Sequence, residues 1–210
     1  MTSAVKAIET VFQGHRFRSR LEARWAVFFT EAGLPWEYEP EGFCFPCGTH
    51  YLPDFFIPNV EGKTCCYFEV KPYIETISKT GWRYCEVDPK VEAARAAGLY
   101  VVQLNGLFNP ARDGAGYEMN HPYEDDAYGW CVCPFTEQVG IAFNCRGARV
   151  RPDHPHNIEN PDPAHVGKWF LENPCNWQHG DKAYSGDHPK IIKAFTAANM
   201  ARFEHGANGR

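Results

Sequence analysis

The chain has 210 residues, enough to bury one good core without covalent staples. Its net charge of -5 and pI near 6.0 exclude a protein coated in positive charge for wholesale DNA packaging. No stretch reaches the ~18 apolar residues of a membrane span, and MTSAVKAIETVF lacks the basic and apolar regions of a secretory leader, so a cytoplasmic setting with no membrane partner is expected. The nine cysteines, an odd number, then read as reduced thiols.

Local charge says more than net charge. From His15 to Arg24 the chain carries Arg16, Arg18, Arg20 and Arg24 against the single acid Glu22, a basic island able to hold phosphates. Ser19 and Glu22 have the spacing of a capping box, and Leu21, Trp25, Phe28, Phe29 and Ala32 form an apolar stripe that ends at Gly33, predicting a helix over 19–32. Three strands follow, Trp36 to Phe45, Tyr51 to Ile57 and Cys65 to Lys71, joined by glycine-containing turns as an antiparallel meander. Asp88 and Pro89 read as N-cap and first residue of a second helix with Gly98 as its C-cap, and Leu99 to Leu104 reads as a buried strand. A crossover from the third strand to this one makes the pair parallel.

Side chains alternate across a strand, so Glu69 and Lys71 share one face while Phe68 and Val70 enter the opposite, apolar layer. Asp54, preceded by Pro53 in YLPDFFIP, sits beside Glu69 if the two strands pair. Neighbouring carboxylates repel unless a cation joins them, and hard oxygen ligands favour Mg²⁺ or Mn²⁺ over Zn²⁺. Lys71 would then face a scissile phosphate. Each residue also has a plainer reading: Glu22 as a helix-capping acid, and Asp54, Glu69 and Lys71 as surface charges. The apolar neighbours Tyr51, Leu52, Phe55, Phe56, Ile57, Phe68 and Val70 weigh against the second, because a buried charge is expensive without a partner.

Pro53 and Asp54 as a PD, with Glu69, Val70 and Lys71 as an ExK, resemble the PD-(D/E)XK nuclease superfamily over roughly residues 12 to 106. FRSRLEARWAVFF, YLPDF and FEVKP together resemble a subgroup common among phage and bacterial proteins. The resemblance implies a metal-dependent nuclease, most directly a DNA endonuclease. In that family pattern Asp54 and Glu69 hold the metal with help from Glu22 and the Val70 carbonyl, and Lys71 serves catalysis. Arg16, Arg18, Arg20 and Arg24 would position backbone phosphates, with Lys90 as a further polar contact. The spacing is also similar to junction-resolving and transposon end-cleaving enzymes, which implies structure-selective cleavage by a homodimer as one mode. The rival readings are a non-catalytic nucleic-acid-binding module with the same fold and, third, an assembly protein.

The expected fold is therefore α/β (α+β): a mixed central sheet of about four strands flanked by helices, in the order αβββαβ over residues 1–106. Residues 107–210 read as a loop-rich extension, including PDHPHNIENPDPAH, with packing elements at Lys168 to Leu171 and in a terminal helix over about Pro189 to His205. Ile191, Ile192, Phe195, Ala198 and Phe203 would dock that helix on the core. Lys190, Lys193 and Arg202 lie on the same helix as ordinary surface charges or phosphate contacts. Trp169, Phe170, Trp177 and Tyr184 read as packing residues of the extension rather than base-stacking rings. Structural zinc on Cys44, Cys47, Cys65 and Cys66 is the less favoured alternative to plain buried thiols, as is metal on Cys131, Cys133 and Cys145 with His154, His156, His165 or His179.

Overall fold

Gln13 and Gly14 both take positive φ, +48° and +83°. That is the twist that closes a two-residue hairpin, so β1 (Thr10–Phe12) pairs antiparallel with β2 (His15–Phe17) ahead of the first helix. The computed structural model describes residues 9–58, 66–79, 83–107, 118–120, 128–132, 139–143 and 188–203. Outside them fall the readings placed on Cys65, Cys133, Cys145, His154, His156, His165, His179, the segment Lys168 to Leu171 and the aromatic set from Trp169 to Tyr184.

Helix α1 (Arg20–Ala32) starts at Ser19, whose Oγ accepts the Glu22 N–H, and stops at Gly33, which takes φ +74°. Leu21 is only half-buried, while Ala23, Ala26 and Val27 join the expected Trp25, Phe28, Phe29 and Ala32 inside. The buried surface is wider than one stripe because α1 is covered by the sheet on one side and by the C-terminal helix on another.

Two of the expected strands are broken. Trp36 to Phe45 divides into β3 (Glu37–Tyr38) and β4 (Phe43–Cys44), which belong to different sheets. Glu39 takes φ +46° and Pro40 has no N–H, so the chain leaves the sheet there. Tyr51 to Ile57 likewise divides into β5 (His50–Tyr51), which pairs with β4, and β6 (Phe55–Ile57), with Pro53 in the gap. Next come β7 (Cys66–Lys71), the hairpin β8 (Thr76–Ile77) and β9 (Arg83–Tyr84), α2 (Pro89–Ala96) and β10 (Val101–Asn105). Asp88 is the N-cap of α2, as its sequence predicts. The C-cap is Ala97, one residue before the expected Gly98, which follows at φ +90°.

The central sheet has five strands, one more than expected, in the order β11-β10-β7-β6-β3. Its added edge, β11 (Glu118–Asn120), comes from the extension and runs antiparallel to β10. β10 is parallel to β7, and β7, β6 and β3 form the antiparallel meander. The protein is thus mixed α/β in class. β12 (Tyr128–Val132) and β13 (Val139–Phe143) form a separate hairpin, and α3 (Pro189–Met200) packs on α1. α3 ends at Met200, short of the expected His205, and buries Ile191, Ala194, Phe195 and Ala198 while Ile192 is only half-buried.

Two apolar layers sandwich the sheet. Phe55, Phe68, Val102 and Leu104 face α1 and α3, together with Trp130, whose ring stacks on Phe68 at 6.1 Å. Tyr67 and Val101 face the other way, towards Val91 and Ala94 of α2 and Phe45 and Tyr51 of the β4–β5 hairpin. The second layer is smaller, and beyond its edge the same sheet face carries polar side chains. No helix among the described residues is long and apolar enough to cross a membrane.

Candidate functional site

Phe55 stands opposite Phe68 in the β6–β7 register, which sets Asp54, one residue before β6, across from Glu69. The backbone around Asp54 is pinned on both sides: its N–H donates to the Phe68 carbonyl at 3.0 Å and its carbonyl accepts from Glu39 N–H at 3.0 Å. Its side chain takes over a sheet bond, since Oδ2 accepts the Val70 N–H at 2.7 Å. Val70 therefore touches Asp54 through its N–H. Asp54, Glu69 and Glu22 are 3%, 7% and 7% exposed, so three acids that water would normally cover are buried.

Protein cations lie against two of them. The Arg18 guanidinium meets Asp54 Oδ1 at 2.6 Å and Glu39 Oε1 at 2.8 Å. The Lys71 ammonium bridges Glu69 Oε1 and Asp88 Oδ2, both at 2.8 Å. Asp88 still caps α2 with its other oxygen, which accepts the Lys90 N–H at 2.9 Å, so one carboxylate fixes both the helix start and Lys71. Glu22 is held by the protein: Ser19 Oγ donates to Oε1 at 2.7 Å, and Tyr38 hydroxyl and Arg18 N–H donate to Oε2 at 2.6 and 3.2 Å. Ser19 thus supplies its half of the capping box, while the Glu22 carboxylate takes the N–H of Arg18, one residue before the cap, and its charge still reaches Asp54.

The remaining sequence candidates are dispersed. Arg16 is exposed on β2 and pairs with Glu9 at 3.6 Å, and Lys90 is exposed at the start of α2. Arg20 and Arg24, one turn apart on α1, are half-buried, and the Nε of each has no hydrogen-bond partner. Cys44 and Cys47 are exposed while Cys66 is buried in the α1-side core, so these three thiols do not share a site. Cys131 lies in β12.

Five further residues join the cluster: Tyr38, Tyr51, Asp88, Gln103 and Asn105. Gln103 stands beside Glu69 and Asn105 beside Lys71 in the parallel β7–β10 register, and both are buried. Their signal was in the text VVQLN, where two amides at alternate positions of a buried strand must share one face. Asp88 was legible only as a cap, because its contact with Lys71 depends on where α2 packs.

The donor set can be tested against a hard divalent cation. Glu69 Oε2 is buried without a hydrogen bond of full geometry, and the donor beside Glu69 is the equally unpartnered Tyr51 hydroxyl. Two neighbouring buried acids, with oxygen ligands and no thiolate or imidazole, suit Mg²⁺ or Mn²⁺. As the side chains stand, no group of three His, Cys, Asp or Glu residues among the described residues closes around a metal position. Arg18 takes a place on Asp54 that a cation would need.

Burial and the Glu69 charge push the Asp54 carboxyl up from 3.8 to about 8, against the pull of the Val70 N–H. Burial also raises Glu69, opposed by Lys71. Burial, then the neighbouring Glu69 and Asp54, raise the Tyr51 phenol. Between pH 3.8 and about 8 the folded chain keeps a proton that the unfolded chain releases, so in chelator its stability falls as pH rises through that window. Asp54→Asn removes the titrating group and should flatten the slope. Thermal midpoints of both proteins in EDTA across that range check this, and parallel curves would refute it.

Fold and site together define a mixed α/β protein with a buried acidic cluster at the polar end of its central strands. Comparison with protein-family models, with curated proteins and with solved structures gave no match.

Proposed function

We propose that the protein is a metal-dependent nuclease of the PD-(D/E)XK type that hydrolyses phosphodiester bonds, with DNA as its substrate. The observation behind this reading is the meeting of Asp54, Glu69 and Lys71 on one sheet face, with Glu69 Oε2 left without a hydrogen bond of full geometry. Asp54 and Glu69 would hold the cation, with Glu22 and the Val70 carbonyl as supporting ligands. When bound, Mg²⁺ or Mn²⁺ supplies Lewis-acid activation of water and of the phosphoryl oxygens. Lys71 places positive charge where negative charge grows on the phosphate, and Asp88 keeps its ammonium from turning away.

Arg18 has two roles in this reading. Without DNA it neutralises Asp54. A backbone phosphate would compete for the same guanidinium, drawing it off the carboxylate and opening Asp54 Oδ1. Arg16, Arg20, Arg24 and Lys90 would supply sequence-independent contacts to the backbone. The setting proposed is the cytoplasm, in keeping with the exposed free thiols of Cys44 and Cys47.

One observation favours a second reading. A guanidinium 2.6 Å from Asp54 satisfies that carboxylate without any metal, as a nucleic-acid-binding module that does not cleave would require. Incubation with supercoiled, linear, single-stranded and four-way-junction DNA in Mg²⁺, Mn²⁺ or EDTA separates the two. Cleavage that needs the metal supports the nuclease. Binding without cleavage in every condition supports the module.

A further inference from the structure

Beside Lys71, between the β8–β9 hairpin and the first turn of α2, lies a cavity of about 250 Å³. Ile74 and Thr76 line it from the hairpin side, Lys71 and Asp88 from the site, and Gln103 and Asn105 from β10. Its polar side is built and incomplete. Gln103 is fully engaged: its Oε1 accepts the Asp88 N–H at 2.8 Å, and its Nε2 donates to the Glu86 carbonyl at 2.9 Å and to Asn105 Oδ1 at 2.8 Å. That last bond fixes which way the Asn105 amide points. Asn105 is 6% exposed, yet its Nδ2 donates to nothing. A buried amide with an unspent donor, held in orientation by its neighbour, lacks an acceptor.

The apolar side is equally unusual. Four of the seven exposed large hydrophobic side chains among the described residues, Tyr73, Ile74, Ile77 and Tyr84, fall on this one short hairpin and its lead-in. Thr76, which pairs with Tyr84 across the hairpin, and Ile74, in the lead-in, both line the cavity. Ile74, 68% exposed, thus lines the cavity and is open to solvent as well. Gly106 fixes the root of this arm, since a Cβ there would come within 2.9 Å of Tyr73 Cβ.

A ligand for this cavity needs an apolar face for Ile74, a polar edge for Asn105, and a link to an anion beside Lys71. We infer that the cavity takes the unstacked base of a nucleotide next to the phosphate held at Lys71. The inference rests on the nuclease reading of Lys71 and narrows it, because the base of a paired, stacked nucleotide cannot offer its face to a side chain. The preferred substrate is DNA with unpaired bases next to the scissile bond.

The test is equilibrium binding of the full chain in EDTA, where no strand is cut. The probes are a duplex with one bulged 2-aminopurine, the same duplex fully paired, and the same bulge without its base. Loss of one base-stacking contact weakens binding on the order of 10-fold. The parental protein should favour the bulged base by about that factor, with a change in 2-aminopurine emission. Ile74→Ser, at an exposed position, should lose the preference while binding paired duplex as before, and Asn105→Ala should lose the preference too. Equal affinity for all three probes, or variants that keep the preference, would overturn the inference. So would an Ile74→Ser effect confined to sedimentation, which would make the hairpin a self-association surface. Preference for the bulge without cleavage in Mg²⁺ or Mn²⁺ would sink the nuclease reading alone, cleavage without preference would sink the cavity alone, and no DNA binding at all would sink both.

Discussion

Lys71→Ala is expected to slow metal-dependent cleavage by about 10²- to 10³-fold, the usual loss when one preorganised positive group facing a developing negative charge is removed. The ammonium is held by Glu69 Oε1 and Asp88 Oδ2 at 2.8 Å each, so it is placed before any substrate arrives. Burial lowers its proton affinity, but the two carboxylates more than offset this and keep it charged. The phosphate contacts proposed for the arginines remain, so DNA affinity should change little. Single-turnover cleavage and DNA binding on one preparation check both halves. A cleavage rate within a few-fold of the parent would remove Lys71 from the chemistry.

Phe29→Ala should cost about 3–5 kcal/mol of stability, a large share of the total for a domain of this size. Phe29 is fully buried, and its ring lies 5.2 Å from Phe55, 5.4 Å from Phe68, 5.8 Å from Phe28 and 6.1 Å from Trp130. These neighbours belong to α1, β6, β7 and β12, so the cavity would open where helix, sheet and extension meet. Their rings are held from several sides, which limits collapse into the void. Urea unfolding gives the difference at constant m-value. A loss below about 1 kcal/mol would mean that the junction relaxes freely.

The parts of this fold that were legible in the sequence are those set by local chemistry. Ser19, Gly33, Asp88 and Pro89 place the helix ends through caps that depend only on nearby backbone. The alternation in Cys66–Lys71 placed Glu69 and Lys71 on one face, and β7 keeps that pattern. Strand breaks were harder to see, because Glu39 adopts positive φ and Asp54 replaces a backbone partner with its side chain. The β1–β2 hairpin was missed although Gln13 and Gly14 form a two-residue turn; glutamine is a weaker signal there than asparagine. That omission mattered for the site, since this hairpin delivers Arg18 to Asp54. The arginine expected to meet phosphate lies on a carboxylate 36 positions away, a contact no local pattern contains.

The most direct test of the account compares the parental protein with Asp54→Asn, purified in parallel, on the same DNA in Mg²⁺ and in EDTA. Asparagine keeps the side-chain oxygen that can accept the Val70 N–H but loses the charge that would draw a divalent cation. The account predicts cleavage by the parent in Mg²⁺ only, and none by Asp54→Asn, which still folds and still binds the DNA. Cleavage at the parental rate by Asp54→Asn, or cleavage by the parent undiminished in EDTA, would contradict it.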